Sequence, residues 1–177
     1  MKIFYIRHGQ TDWNVKKIVQ GTTDIPLNKT GIMQAKEAQK KVMDKNINLI
    51  LSSPLSRAKE TAEIINEVLG VELILDERLR ERNYGTLEGK SHLDINDGEV
   101  WCSEHPETLE NLNQVFERIS GFLDDIKIRY ADRTILVVSH GGTTSAFNWY
   151  FDKCSYLNRN TRVKVFENCE LKEYELI

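Results

Sequence analysis

Lys2-Ile3-Phe4-Tyr5-Ile6-Arg7-His8-Gly9 and Thr134-Ile135-Leu136-Val137-Val138-Ser139-His140-Gly141-Gly142 are built alike. Each is a short, β-rich apolar run that reads as a buried strand, and each passes almost directly into a histidine followed by glycine. Apolar runs of this kind, with little polar alternation, suit strands covered on both faces. In open α/β sheets ligands bind just beyond the strand ends. The two histidines therefore mark one predicted sheet edge, and Arg7 beside His8 supplies a guanidinium for an anion there. The pairing predicts a nucleophile held against an anionic group.

The segments between these runs supply the rest of the fold. Residues 9–29 are polar and rich in turn formers (Gly9, Asn14, Gly21, Pro26, Asn28), which predicts a long loop, a feature that in compact domains tends to be functional. Thr30 reads as the N-cap of a helix whose apolar face is Ile32, Ala35, Ala38 and Val42. Asn48–Leu51 reads as a strand running into Ser52-Ser53-Pro54. A helix then carries Ala58, Ala62, Ile65 and Leu69, with Gly70 at its end. Val71–Leu75 reads as a short strand. Segment 82–108 lacks clear periodicity and reads as an irregular lid or specificity excursion with room for one short helix. Leu112, Val115, Phe116, Ile119, Phe122, Leu123 and Ile126 define an amphipathic helix, and Thr143–Phe151 a further one. Val163/Val165 and Leu171/Tyr174 fit two edge strands. Alternating strands and helices predict one α/β domain over 1–177, a three-layer α/β/α sandwich with a mainly parallel central sheet.

Composition narrows the function classes. The chain has 177 residues, 40% of them hydrophobic and 29% charged, with a net charge of −3. That balance favours neither nucleic acid nor an anionic membrane as partner. No apolar stretch approaches a membrane span or a signal-peptide core, so a cytoplasmic protein is expected. Cys102, Cys154 and Cys169 are few, odd in number and far apart, and read as reduced thiols; no metal site and no cofactor is expected.

Four blocks carry chemistry: Arg7-His8-Gly9-Gln10-Thr11-Asp12-Trp13-Asn14; Ser52-Ser53-Pro54-Leu55-Ser56-Arg57-Ala58-Lys59-Glu60-Thr61-Ala62; Leu79-Arg80-Glu81-Arg82-Asn83-Tyr84-Gly85-Thr86-Leu87-Glu88-Gly89; and Val138-Ser139-His140-Gly141-Gly142. In this order they resemble the histidine phosphatase superfamily, the branch that holds the cofactor-dependent phosphoglycerate mutases and many small phosphatases. The resemblance runs from Ile3 to about Cys169. It implies a phosphoglycerate mutase-like fold, a phosphohistidine formed on His8, and phosphate clamped by Arg7, Arg57 and His140. Glu81 takes the place of the carboxyl group that acts as general acid and then as base. Asn14, Gly21, Thr22, Arg82, Tyr84 and Gly141 fall where the family contacts substrate.

Physical chemistry agrees with those roles. Phosphoryl transfer asks mainly for positioning and charge neutralisation around an in-line nucleophile. Neutral imidazole can attack phosphorus, and two nearby guanidinium groups disfavour its protonation. Phosphate charge nearby favours the protonated carboxyl that an acid needs. Plainer readings exist for each residue alone: a solvated surface Arg57, surface ion pairs around Glu81, a tight turn at Gly141-Gly142, packing roles for Trp13, Trp101 and Tyr84, and surface positions for His92 and His105.

The chain is predicted to hydrolyse a small phosphomonoester. From Gly85 to Glu117 one cation, Lys90, faces eight acidic residues. This disfavours substrates with several extra negative charges and suits a neutral or cationic leaving group. The chain is also shorter than the mutases, has Asn83 where they carry histidine, and lacks their insertion with paired arginines. A phosphoglycerate mutase is the alternative enzyme, and a non-catalytic phospholigand-binding protein the alternative from another class. The expected partner is a small phosphorylated metabolite, and the assembly a monomer or a homodimer paired through the tail strands.

Overall fold

The computed structural model describes residues 1–93, 108–152 and 166–176. Its core is a five-stranded sheet in the order β3-β2-β4-β1-β5. The strands are β1 (Lys2–Arg7), β2 (Leu49–Ser52), β3 (Glu72–Leu75), β4 (Thr134–Ser139) and β5 (Leu171–Glu175). The first four run parallel, and β5 pairs antiparallel with β1 at the edge. The helices are α1 (Asp12–Val15), α2 (Lys29–Val42), α3 (Ser56–Leu69), α4 (Leu112–Arg129) and α5 (Gly141–Asp152).

The period-2 geometry of strands divides the apolar runs between two cores. Ile3 and Tyr5 of β1, with Ile135 and Val137 of β4, pack against α4 and α5 through Ile119, Phe122 and Phe147. Phe4 and Ile6, with Leu136 and Val138, pack on the other face against α2 and α3 through Ala35, Ala38, Ala58 and Ala62. Small residues on α2 and α3 bring those helices close to the sheet. The result is the predicted α/β/α sandwich with a mainly parallel sheet.

Three local expectations are corrected. The 9–29 stretch is not loop throughout: Thr11 and Asn14 form a reciprocal capping box that starts the one-turn helix α1. The cap of α2 is Asn28 rather than Thr30, because Asn28 Oδ1 accepts from Gly31 N at 2.9 Å. Helix α5 begins at Gly141, two residues before the predicted start. Gly70, in the left-handed conformation, ends α3 as expected. Within the 82–108 excursion, the described part holds one 3₁₀ turn, Gly85–Leu87, and a bridge from Ser91 to Ile18. Residues 94–107, and the Val163/Val165 strand, lie outside the described residues.

The first turn of α2 rests directly on the loop after β1. A methyl group on Gly31 would lie 2.1 Å from the Gln10 carbonyl oxygen. Alanine normally stabilises a helix interior relative to glycine, but here backbone meets backbone and neither side can yield. Gly31→Ala is expected to cost about 2–3 kcal/mol through overpacking. The melting temperature should fall by roughly 5–10 °C; an unchanged or raised value in a thermal melt would refute this packing.

Candidate active site

Strands β1 and β4 lie side by side in register, Arg7 opposite Ser139, so the residues that follow them emerge together. His8 N donates to the Ser139 carbonyl at 2.9 Å, extending the ladder by one residue. The His8 and His140 rings then lie next to each other, tilted by 58° with centroids 5.1 Å apart. Both are buried, His8 at 2% and His140 at 0% exposure.

The hydrogen bonds of His8 fix its tautomer. Its Nδ1 lies 2.7 Å from the Gly9 carbonyl, which can only accept. Nδ1 therefore carries the proton, and in the neutral ring Nε2 keeps its lone pair. Burial, then Arg57 and Arg7, hold the His8 imidazole well below the usual histidine range, so the ring is neutral. His140 is likewise depressed, by burial first and then by Arg57, His8 and Arg7. Its Nε2 meets Ser53 Oγ at 2.7 Å, while its buried Nδ1 has no partner among the described residues.

Arg57 sits in the first turn of α3 and is fully buried, not solvated. It donates through Nη2 to the Gly21 carbonyl at 2.7 Å and through Nη1 to the Thr23 carbonyl at 3.0 Å. Gly21 has a positive φ of 53°, which shapes this turn. Arg7 donates from Nη1 to the Phe166 carbonyl at 2.7 Å. The Nε atoms of Arg7 and Arg57 are buried without partners among the described residues, as are both Nη atoms of Arg82. Unpaired buried donors are costly, and a concentration of them is what an oxyanion site requires.

Glu81 is held from two sides. Its Oε1 accepts from Arg82 N at 2.8 Å and its Oε2 from Gly142 N at 3.0 Å. The anion at the N-terminus of α5 is thus a carboxylate of the chain itself. A methyl on Gly142 would come within 2.3 Å of Glu81 Oε1, so the close approach needs glycine there. Gly141 is buried at the turn between His140 and this contact. The segment carrying Glu81 is clamped by α4: Arg118 donates to the carbonyls of Arg78 and Arg80 while paired with Glu110. Ser139 Oγ adds a bond to the Leu79 carbonyl at 2.7 Å.

The other predicted contacts are placed as follows. Asn14 Oδ1 is spent on the α1 cap, which leaves only the NH2 half of its amide for a ligand. Thr22 donates to Glu88 from both N and Oγ1. Arg82 is buried, with Nε on the Glu110 carbonyl and its guanidinium over the Tyr84 ring at 5.1 Å. Tyr84 is half-buried beneath it. A cavity of about 390 Å³ opens against Glu81, lined among others by Thr22, Asn83, Gln114, Arg80 and Arg118. Arg80 is paired there with Glu77, and Arg118 with Glu110. His92 is exposed, and Trp13 packs beside Gly89. Trp101 and His105 lie outside the described residues.

Several supporting residues escape a reading of the sequence alone. Tyr5 donates to the His140 carbonyl at 2.6 Å, and burial lifts its hydroxyl to a pKa of about 12. Thr61 Oγ1 accepts from Gly9 N, and Asn168 Nδ2 donates to the His8 carbonyl. Ser53 and Thr61 belong to the second motif block, but only the tertiary contact reveals their partners. Cys169 is a free, buried thiol whose pKa burial pushes up to about 12, which marks it as unreactive. Among the described residues no group of three or more His, Cys, Asp or Glu could hold a metal ion, and no helix is long and apolar enough to cross a membrane.

Known proteins resemble this chain in sequence and share this fold. The profile of the histidine phosphatase superfamily (branch 1) matches residues 3–176. A Bacillus subtilis protein named "Uncharacterized phosphatase PhoE" is 39% identical over 145 residues, spanning 80% of this chain and 72% of that one. An Escherichia coli protein named "Probable phosphoglycerate mutase GpmB" is 34% identical over 152 residues, spanning 80% of this chain and 70% of that one. Among solved structures, a mycobacterial glucosyl-3-phosphoglycerate phosphatase in complex with VO3 superposes with a TM-score of 0.88 at 28% identity, covering 97% of this chain and 91% of that one.

Proposed function

Because the chain belongs to the histidine phosphatase superfamily, branch 1, we propose that it hydrolyses a small-molecule phosphomonoester through a phosphohistidine on His8. One observation carries the reading: His8 Nδ1 is tied to the Gly9 carbonyl, so a neutral ring presents the bare Nε2 beside Arg57, Arg7 and His140. Nε2 attacks phosphorus as the ester P–O bond breaks. The developing charge on the equatorial oxygens is met by the two guanidinium groups and His140, each such donor contributing about 3 kcal/mol in the transition state. Protonated Glu81 gives its proton to the leaving oxygen. Its carboxylate then takes a proton from water, whose oxygen attacks phosphorus, breaking the P–N bond and releasing inorganic phosphate and neutral His8.

The leaving group occupies the cavity beside Glu81. Its cations Arg80 and Arg118 already carry Glu77 and Glu110, so the cavity favours neutral or cationic leaving groups over anionic ones. Steady-state hydrolysis of a panel of phosphate esters tests both parts. Neutral sugar or nucleoside monophosphates should be turned over faster than bisphosphates. A clear preference for bisphosphates refutes the leaving-group assignment, and no hydrolysis of any ester refutes the phosphatase. The Escherichia coli relative supports phosphoglycerate mutase as the second reading; conversion of 3- to 2-phosphoglycerate in a coupled assay, faster than hydrolysis, would establish that instead.

A further inference from the structure

We propose that Glu88 is the positioning residue of the Arg57 guanidinium, acting through the Gly21–Thr23 turn. The inference rests on the phosphatase reading only in taking Arg57 to face the phosphoryl group. Arg57 grips this turn by two carbonyl oxygens, Gly21 at 2.7 Å and Thr23 at 3.0 Å. Glu88 grips it from the other side. Its Oε1 accepts from Thr22 N at 2.8 Å and Thr22 Oγ1 at 3.1 Å, and its Oε2 from Thr23 N at 2.9 Å and from Thr23 Oγ1.

The Gly21 carbonyl and the Thr22 N–H belong to one peptide unit, planar and stiff, with the two groups pointing in opposite directions. Arg57 therefore holds one end of that plane and Glu88 the other. A carboxylate on the N–H also polarises the carbonyl toward the guanidinium. Glu88 Oε1 further accepts from Tyr84 N at 3.1 Å, so the same side chain fixes the Arg57 turn relative to the segment that carries Glu81.

Two further features bear on this contact. A methyl on Gly21 would lie 2.0 Å from Glu88 Oε1, so only glycine admits the approach. Burial opposes the charge, yet the hydrogen bonds from Thr23, Thr22 and Tyr84 outweigh it and hold the Glu88 carboxyl below its usual range. Both oxygens are fully used as acceptors, which a glutamine cannot reproduce: its NH2 would meet N–H and hydroxyl donors on one side.

The test compares wild type, Glu88→Gln and Glu88→Ala, the latter removing every acceptor that holds the turn. Turnover of p-nitrophenyl phosphate is read alongside the Nε–Hε NMR resonance of Arg57, identified by its loss in Arg57→Lys. Thermal melts give the folded fraction. Glu88→Gln should fold, lose roughly 10- to 100-fold in kcat with KM changed far less, and shift or broaden the Arg57 resonance, as expected when a transition-state donor loses its alignment. A merely structural role would lower the melting temperature but leave kcat per folded molecule and the arginine resonance at wild-type values; that result overturns the proposal. If wild type hydrolyses no ester, the phosphatase reading fails, and Glu88 is judged on the resonance alone: unmoved, it refutes the proposal. If Glu88→Gln does not fold, Glu88→Ala is measured by the same two readouts, and wild-type values of both overturn the proposal.

Discussion

His8→Ala is expected to abolish phosphomonoester hydrolysis, with kcat falling at least ~10³-fold, because the covalent route disappears rather than slows. Alanine removes the Nε2 proposed as the nucleophile and, with it, the Nδ1–H bond to Gly9. The main-chain bond from residue 8 to the Ser139 carbonyl survives the substitution, so the strand ends stay together. Loss of turnover with a retained melting transition therefore reports chemistry, not unfolding. Rapid acid-free denaturation of wild type during turnover of labelled substrate should trap a base-stable, acid-labile phosphoprotein that is missing from the variant. A His8→Ala protein that keeps full turnover, or still forms the acid-labile adduct, would move the nucleophile elsewhere, with His140 the first alternative.

Glu81→Gln should separate the two half-reactions. A poor alkoxide leaving group needs a proton, so alkyl phosphates should lose about 10²- to 10⁴-fold in kcat/KM. The p-nitrophenolate ion leaves unaided, and phosphorylation of His8 by p-nitrophenyl phosphate should be much less affected. The second step still needs a base for water, so the variant should show a burst of nitrophenol near one equivalent, then slow turnover and accumulated phosphoenzyme. Equal losses for p-nitrophenyl and alkyl esters without a burst would remove Glu81 from the proton's path. The glutamine amide must present NH2 to either Arg82 N or Gly142 N where the carboxylate accepted from both. A thermal melt of the variant separates that local misfit from the kinetic effect.

The parts of the fold legible in the sequence are those governed by local patterns. Ile3–Ile6 and Thr134–Val138 read as buried strands because nearly every side chain in them is apolar, and both faces of the sheet are in fact covered. The stripe from Leu112 to Ile126 and the left-handed Gly70 are equally plain. Helix α1 is hidden because four residues carry no periodicity; its trace in the sequence is the Thr11/Asn14 spacing of a capping box. Asn28 and Thr30 are both competent caps, and the choice between them depends on the contact of Gly31 with Gln10, which no local pattern encodes. Glycines at 141 and 142 argue against a helix start, until a carboxylate from a distant segment occupies its N-terminus.

The same division holds within the site. His8, Arg57, Glu81 and His140 stand out through the four blocks that resemble the family. Their supports do not, because Ser53, Tyr5, Thr61, Arg118 and Asn168 act through contacts between segments remote in sequence. Glu88 lies in the third block without an assigned role and counts among the eight acidic residues, and the bonds it makes to Thr22, Thr23 and Tyr84 give it a different character from the rest.

The pairing of β1 with β4 and β5 bears on how the enzyme comes into being. His8 is translated well before the strands on either side of it and the Asn168 amide that holds its carbonyl. Until those late segments leave the ribosome, β1 has no partner strand and its apolar residues are open to misassociation. The site cannot close until Asn168 and β5 have been made, since its first residue waits for them. Maturation of activity should therefore be an all-or-none event at the end of folding, paced by long-range closure rather than by the quickly formed helices.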